Sequence, residues 1–527
     1  MTVDLSGDGR STALELLSRS GVSPLPESPC GGRGTCGKCR VRFLSGIPAP
    51  TGEDARSLSA GEIANGTRLA CRAVPEGPCR VRFEGNIAHR AVSAYRIPAD
   101  RARTSVPREI SASPLAVAID VGTTTVAFEL LDAGTGEVLA RESRLNGQRV
   151  FGADVVSRVT ASLSGNGAEL RRLVLRDALE GISSLLSVSA SRGADVGSVT
   201  VAANTVMTHL FLGLPVEGFA RAPFTPSATR FPSVPFGEVF APVLEGAEAA
   251  VVIAPGVDRA IPVRFVPCVS AFVGGDVVAG LAALDSGTGG STELFIDLGT
   301  NAEMALSSGG RIWCASAAAG PAFEGGSISS GTGSVEGAVS AVRVEGNRFA
   351  WDLVGDAPQG DAPLRGICGT GLVDFVACAL SLSLVDPSGA LSPVCSGSGV
   401  FLDPAGTVRL LASDVRELQL AKAAVRAGIE ILLRTAGLRA RDVSRVWVAG
   451  GFGFYLRERS ALAIGLFPSE FAGKTVSVGN ASLAGASLFA RDPSLEARFD
   501  AILSSCERVS LADHPDFQDL FLDSMGF

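Results

Sequence analysis

Apolar and polar positions follow two different rhythms along this sequence. Short apolar runs bounded by glycine and threonine predict strands at Leu115–Asp120 (LAVAID), Val126–Leu131, Val138–Leu145 and Val199–Ala203. The same pattern predicts strands at Leu294–Leu298 (LFIDL), Glu303–Leu306, Arg311–Cys314 and Arg445–Ala449. Between them, apolar residues recur at helical spacing over Asp154–Leu163, Glu169–Leu186, Gly274–Leu284, Leu372–Leu384 and Asp414–Ala436. Strands that alternate with helices predict an α/β fold. The strand-then-glycine signature of 115–122 returns at 294–299, which predicts two related lobes and not a short-period solenoid. Pro387–Gly406, rich in Ser, Gly and Pro, predicts an irregular excursion. Ser93–Ser113 carries two prolines, four arginines and little periodicity, and predicts a linker. The expected organisation is a small domain over 1–92, a linker over 93–113, a first lobe over 114–290 and a second over 291–527.

Length and composition narrow the class. The chain has 527 residues, room for about three domains at ~150 residues each. Apolar residues make up 46% and charged residues 19%, the balance of a globular protein and too apolar for disorder. No apolar run approaches the ~18 residues that cross a bilayer. Asp4 and Asp8 stand where a signal peptide would need a basic start. The expectation is a cytoplasmic protein with no membrane segment. A net charge of −8 gives no basic field for nucleic acid. Lysine is scarce: Lys38, Lys422 and Lys474 are the only three, so a mechanism that needs one has three candidates. Charge also divides the chain, with residues 1–92 at net +3 and the remainder at −11.

Cysteine changes the picture more. Five of the 11 cysteines fall in the first 79 residues, and an odd total argues against a disulfide framework. Cys30, Cys36, Cys39 and Cys71 form C-x5-C-x2-C-x31-C. Four thiolates suit the two irons of a 2Fe–2S cluster, and glycines 31, 32, 34 and 37 let the backbone wrap around the sulfurs. Zinc is the alternative, although it more often takes two C-x2-C pairs or Cys/His sets. Cys79 is either a replacement ligand or a structural thiol. The six later cysteines show no second cluster pattern, and His89, His209 and His514 have no second ligand at metal spacing.

A second chemistry lies in the lobes. Ala118–Asp132 (AIDVGTTTVAFELLD) and Phe295–Leu306 (FIDLGTNAEMAL) both run strand–Asp–x–Gly–Thr. An aspartate at such a strand end can hold Mg²⁺ through water, and the N–H and hydroxyl groups after it can donate to phosphates. Val446–Leu456 (VWVAGGFGFYL) is strand–Gly-Gly-x-Gly, where missing Cβ atoms let a ring or ribose approach the backbone. Two facing turns and a late Gly-Gly-x-Gly point together to a nucleotide triphosphate. Gly473-Lys474-Thr475 is not a P-loop, because Pro468 stands where the first glycine would be.

The cysteine spacing resembles ferredoxin domains of the adrenodoxin kind over residues 1–92, which implies a β-grasp 2Fe–2S domain. The paired Asp-x-Gly-Thr turns resemble the superfamily of acetate kinase, sugar kinases, heat-shock chaperone ATPases and actin over 114–527, which implies two RNase-H-like lobes closing on ATP. Joined in one chain, the two resemble the reductive activators of corrinoid proteins. Finer matches are VAANTVMTHLFLG (201–213), PCVSAFVGGDVVAG (267–280), AAAGPAFEGG (317–326), GICGTGLVD (366–374), AIGLFP (463–468), VGNASLAGA (478–486) and the terminal DHPDFQDLFLDSMGF.

That resemblance implies ATP-dependent one-electron reduction of a Co(II) corrinoid to Co(I). The corrinoid would sit on a partner protein of a methyltransferase system, with a low-potential electron donor upstream and a homodimer as a compatible assembly. It implies Cys30, Cys36, Cys39 and Cys71 as cluster ligands. Asp120 and Asp297 would place Mg²⁺ and water. Gly122, Thr123, Thr124, Gly299, Thr300 and Asn301 would hold phosphates, and Gly450, Gly451 and Gly453 would hold adenosine. Asp276 is expected to line the cleft or cap a helix, and Glu324 to reach the nucleotide or partner or face solvent. A small-molecule kinase and an ATP-sensing regulator with a redox domain are the alternatives.

Overall fold

The computed structural model describes residues 1–20, 22, 25–26, 32, 34, 37–83, 94–98, 114–189, 195–244, 257–287, 290–355 and 364–527. Cys30, Cys36, His89 and most of the 93–113 segment lie outside the described residues.

Three sheets organise the fold. The first contains Thr2–Asp8 (β1), Arg40–Ser45 (β2), Thr67–Leu69 (β3) and Glu76–Arg82 (β4), in the order β1-β4-β2-β3 with antiparallel pairing. Strand alternation sends Val41, Phe43, Cys79 and Val81 inward, into one core with Leu14 and Leu17 of the Ala13–Arg19 helix. That helix begins at a capping box, in which the Glu15 N–H donates to the Thr12 hydroxyl and the Thr12 N–H donates to the Glu15 carboxylate.

The second sheet contains Leu115–Val121 (β5), Thr125–Asp132 (β6), Val138–Leu145 (β7), Val196–Ala203 (β8), Val234–Pro235 (β9) and Pro262–Phe265 (β10). Its order is β7-β6-β5-β8-β10-β9. The third contains Glu293–Leu298 (β11), Ala302–Ser308 (β12) and Arg311–Ala317 (β13). Two separate hairpins follow, Val339–Glu345 (β14) with Arg348–Leu353 (β15), and Val400–Phe401 (β16) with Arg409–Leu410 (β17). Arg445–Ala449 (β18), Thr475–Gly479 (β19) and Cys506–Arg508 (β20) complete the third sheet, in the order β19-β18-β11-β12-β13-β20.

The two large sheets repeat one plan. In each, an antiparallel meander is joined through its first strand to a later parallel strand: β5 to β8, and β11 to β18. In each, the first strand ends in an aspartate beside the turn. Asp120 stands opposite Ala202 of β8, and Asp297 opposite Ala449 of β18. This is the two-lobed architecture expected from the repeated signature.

The lobes meet through small residues. The Gly275–Ala283 and Ala481–Arg491 helices share a core with Ala116 and Ala118 of β5, Phe295 of β11 and Trp447 of β18. A Cβ at Gly485 would lie 2.1 Å from the Ala279 carbonyl oxygen, so the two helices approach to backbone contact. Residues 94–98 run beside the end of β19. Arg96 N–H donates to Val478 O at 3.0 Å, while the Tyr95 hydroxyl reaches across to Glu129 of β6 at 2.8 Å. Among the described residues no helix is long and apolar enough to cross a membrane.

Candidate nucleotide cleft and cluster site

Between the lobes lies a cleft of about 350 Å³. Its two ends are built by the same local chemistry. In the first turn Gly122 N–H donates to Thr125 O at 2.9 Å, and in the second Gly299 N–H donates to Asn301 O at 2.9 Å. Each bond folds the chain back just after the strand-end aspartate. The predicted Gly122, Thr123, Thr124, Gly299, Thr300 and Asn301 all line the cleft, with Asp120 and Asp297.

The turns are joined by Glu324. Its carboxylate accepts from the Thr124 hydroxyl at 3.0 Å and from the Thr300 hydroxyl at 2.8 Å, so one side chain spans both lobes. Asp120 is held differently. Asn480 Nδ2 donates to it at 2.8 Å and the Ser482 hydroxyl at 2.7 Å. Burial raises the Asp120 pKa against those two bonds. Burial also lifts Asp297, with repulsion from Asp276 and Asp120, to about 8. Asp276 is raised by burial and by Asp120, and Glu303 by burial and by Asp276 and Asp297. Asp276 faces the cleft and accepts the Val277 N–H, while the helix N-cap is Gly274.

Buried carboxylates that repel one another favour a bound cation. Among the described residues no group of three or more His, Cys, Asp or Glu side chains is arranged to hold a metal ion.

Gly450 is required where it stands. It has φ 88, and a Cβ there would lie 2.5 Å from Asp297 Oδ1. Gly451 also lines the cleft, next to the stacked Phe323 and Phe452 rings, whose centroids are 4.7 Å apart. Gly453 is not among the lining residues. It is buried with Val448 close by, where a Cβ would come within 2.7 Å of Val448 Cγ1.

Several lining residues have no role in the sequence reading. Asn204 donates to the Thr123 hydroxyl at 3.2 Å, and the buried Arg158 donates to Thr123 O. Arg149, Glu303, Thr332, Ser334, Asn480 and Ser482 also line the cleft. Asn204, Asn480 and Ser482 lie inside segments quoted for the family resemblance, which was their one signal.

In the small domain, Cys39 and Cys71 are buried with sulfurs 3.2 Å apart, a separation that lets both thiolates serve one iron. Gly32, Gly34 and Gly37 take positive φ (79, 74 and 65), a backbone conformation that glycine adopts without strain. The residues present fit a cluster. Cys79 stands in β4 opposite Leu5, buried in the core, and burial pushes its thiol up; it has the surroundings of a structural residue. His209 is likewise structural. It is buried, its Nδ1 is 2.7 Å from Thr205 O, and its ring packs on Phe219.

Comparison with known families follows the same division. Residues 291–527 match the model described as the C-terminal domain of RACo, the ASKHA domain, and residues 115–287 match the RACo middle region. The chain belongs to the RACo family. Residues 3–76 match the 2Fe-2S iron-sulfur cluster binding domain. A solved structure titled reductive activator for corrinoid, iron-sulfur protein superposes with TM-score 0.67 at 26% identity, covering 98% of this chain and 96% of that one. The corrinoid activation enzyme RamQ of Eubacterium limosum is 29% identical, over 78% of this chain and 70% of its own length. The [Co(II) methylated amine-specific corrinoid protein] reductase of Methanosarcina barkeri is 28% identical, over 76% of this chain and 73% of its own.

Proposed function

We propose that this protein is an ATP-dependent reductive activator, which passes one electron to the Co(II) corrinoid of a methyltransferase partner and restores Co(I). The observation that carries this is the pairing of a four-cysteine domain with a two-lobed cleft whose phosphate turns face each other across Glu324. Relatives named for corrinoid activation and corrinoid protein reduction support the choice of acceptor.

Cys30, Cys36, Cys39 and Cys71 would hold a 2Fe–2S cluster. When bound, that cluster supplies single electrons at about −400 mV, and one electron converts Co(II) to Co(I). Reduction of Co(II) corrinoids is harder than that, so the protein must add a driving force through states that bind the partner differently.

The cleft residues have distinct tasks in this reading. Backbone N–H and hydroxyl groups at Thr123, Thr124, Thr300 and Asn301 donate to nucleotide phosphates, while Gly122 and Gly299 let the chain turn close beside them. Asp120 and Asp297 position Mg²⁺ through its water shell, with Asn480 and Ser482 fixing the Asp120 carboxylate. Gly450 and Gly451 leave backbone open for adenosine. The Thr124 and Thr300 hydroxyls turn from Glu324 to the terminal phosphate, and the freed Glu324 carboxylate accepts from the water that attacks it.

A steady-state assay tests the proposal. The cluster-loaded chain, a chemical reductant, a Co(II) corrinoid protein and Mg·ATP should produce Co(I), read from the corrinoid absorbance. A non-hydrolysable ATP analogue should not sustain it. Transfer of γ-phosphate to a metabolite with no change in the corrinoid would contradict the proposal.

A further inference from the structure

Two of the three lysines are committed to carbonyls: Lys422 donates to Gly526 O, and Lys474 to Val443 O at 2.7 Å. Neither lines the cleft. The third, Lys38, stands between Cys36 and Cys39 in the cluster loop. Its ammonium reaches out of the small domain, donates to Gly331 O of the second lobe at 2.6 Å, and lines the nucleotide cleft. The next residues on that loop, Thr332, Gly333 and Ser334, line the cleft as well.

A second contact lies on the opposite lobe. Val150 and Leu173 of the first lobe belong to the small domain's own core cluster, with Phe151 packed beside them. Val150 ends the Gly147–Val150 turn, against which the Ala13–Arg19 helix packs. Asn146, which caps that turn, is bonded to the first phosphate turn. Its N–H donates to Thr124 O at 2.9 Å and its Nδ2 to Gly122 O at 2.9 Å. The small domain thus touches both lobes, each time at a segment that lines or supports the phosphate site.

We propose that Lys38 is the cluster domain's own ligand for the nucleotide's terminal phosphate, so that ATP clamps the cluster domain across the cleft and loss of that phosphate releases it. The inference rests on the nucleotide reading of the cleft. At Gly331 the ammonium is held by a neutral carbonyl. A phosphate oxygen arriving in the same cleft offers a charged acceptor, which an ammonium prefers. Bound phosphate then fixes Lys38 from one side and the Gly122–Thr124 turn, with Asn146 behind it, from the other. Linkage makes the effect reciprocal: the seated domain tightens ATP by the factor by which ATP tightens the seat.

The test uses the full-length, cluster-loaded protein and Mg·ATP or Mg·ADP as probe. Calorimetric titration should show Lys38→Gln weakening ATP by about tenfold or more, the range of one charge-assisted hydrogen bond, and ADP by much less. Lys38→Arg should stay near wild type. Glutamine can still donate to Gly331 O, so the nucleotide-free seat survives in that variant; cluster absorbance shows that the loop has formed. Hydrogen exchange gives the second readout. ATP should slow exchange over 13–19 and 146–151 in the wild type and leave it unchanged in Lys38→Gln. Equal ATP affinity in the two proteins, with equal protection, would overturn the clamp and leave the nucleotide reading standing. Failure of the wild type to bind ATP would remove both.

Discussion

At the scale of single residues, charge in the cleft has a measurable consequence. Asp297 carries a pKa near 8, so at neutral pH without nucleotide its carboxyl is mostly protonated. A Mg²⁺-bearing nucleotide favours the ionised form and must expel that proton. Affinity for Mg·ATP should therefore rise with pH through neutrality and level off above about 8. The sign for stability is opposite. The proton stabilises the nucleotide-free fold below the ordinary carboxyl range, and this contribution is lost as pH rises through the folded value. Calorimetry at pH 7 in two buffers of different ionisation enthalpy should report proton release on binding, reduced in Asp297→Asn; binding without release would show that the carboxyl is already ionised. The cysteines divide similarly. Cys39→Ala should abolish the visible chromophore, because Cys39 and Cys71 are 3.2 Å apart. Cys79→Ala should keep it and cost about 1 kcal/mol of stability, as a truncation in the core of β4. Loss of the chromophore in both variants would make Cys79 a ligand.

At the scale of elements, the strand–turn units were legible because their chemistry is local. Asp120-Val121-Gly122-Thr123 and Asp297-Leu298-Gly299-Thr300 need only a strand, a tight turn and donors, all written in a few consecutive residues. The strands expected at Val138–Leu145 and Arg445–Ala449 fall where the structure has them. The β14–β15 hairpin, β19 and the Ala481–Arg491 helix were not predicted. That helix reads ASLAGASLFAR, and its small residues look like loop until the Gly275–Ala283 helix arrives to pack on them. Asn480 and Ser482 were opaque for the same reason: their partner, Asp120, belongs to the other lobe. Arg158 was hidden because its contact with Thr123 O joins a helix to a turn distant in sequence. The close helix pair is testable. Gly485→Val would push side-chain atoms into the Ala279 backbone and should cost roughly 1–3 kcal/mol from overpacking, seen as a lower unfolding midpoint. An unchanged midpoint would mean that the helices are not in backbone contact.

At the scale of the whole molecule, the proposed function joins two sites that the sequence presents separately. The small domain's contacts with both lobes, through Lys38 on one side and the Asn146 turn on the other, would give a bound nucleotide a physical route to the cluster loop. In the proposed function, electron delivery to a partner would also require the cluster domain to leave its seat on the lobes at some point in the cycle. ATP turnover would supply a reason for it to be seated at one stage and released at another. The most direct measurement is a single turnover. The cluster-loaded chain is reduced in advance, freed of reductant, and mixed with a Co(II) corrinoid protein with or without Mg·ATP. Corrinoid absorbance, cluster absorbance and inorganic phosphate are followed together. Co(I) should appear as the reduced cluster disappears, one for one, with phosphate release, and only when ATP is present. Equal Co(I) formation without ATP, or phosphate release with the corrinoid left as Co(II), would contradict it.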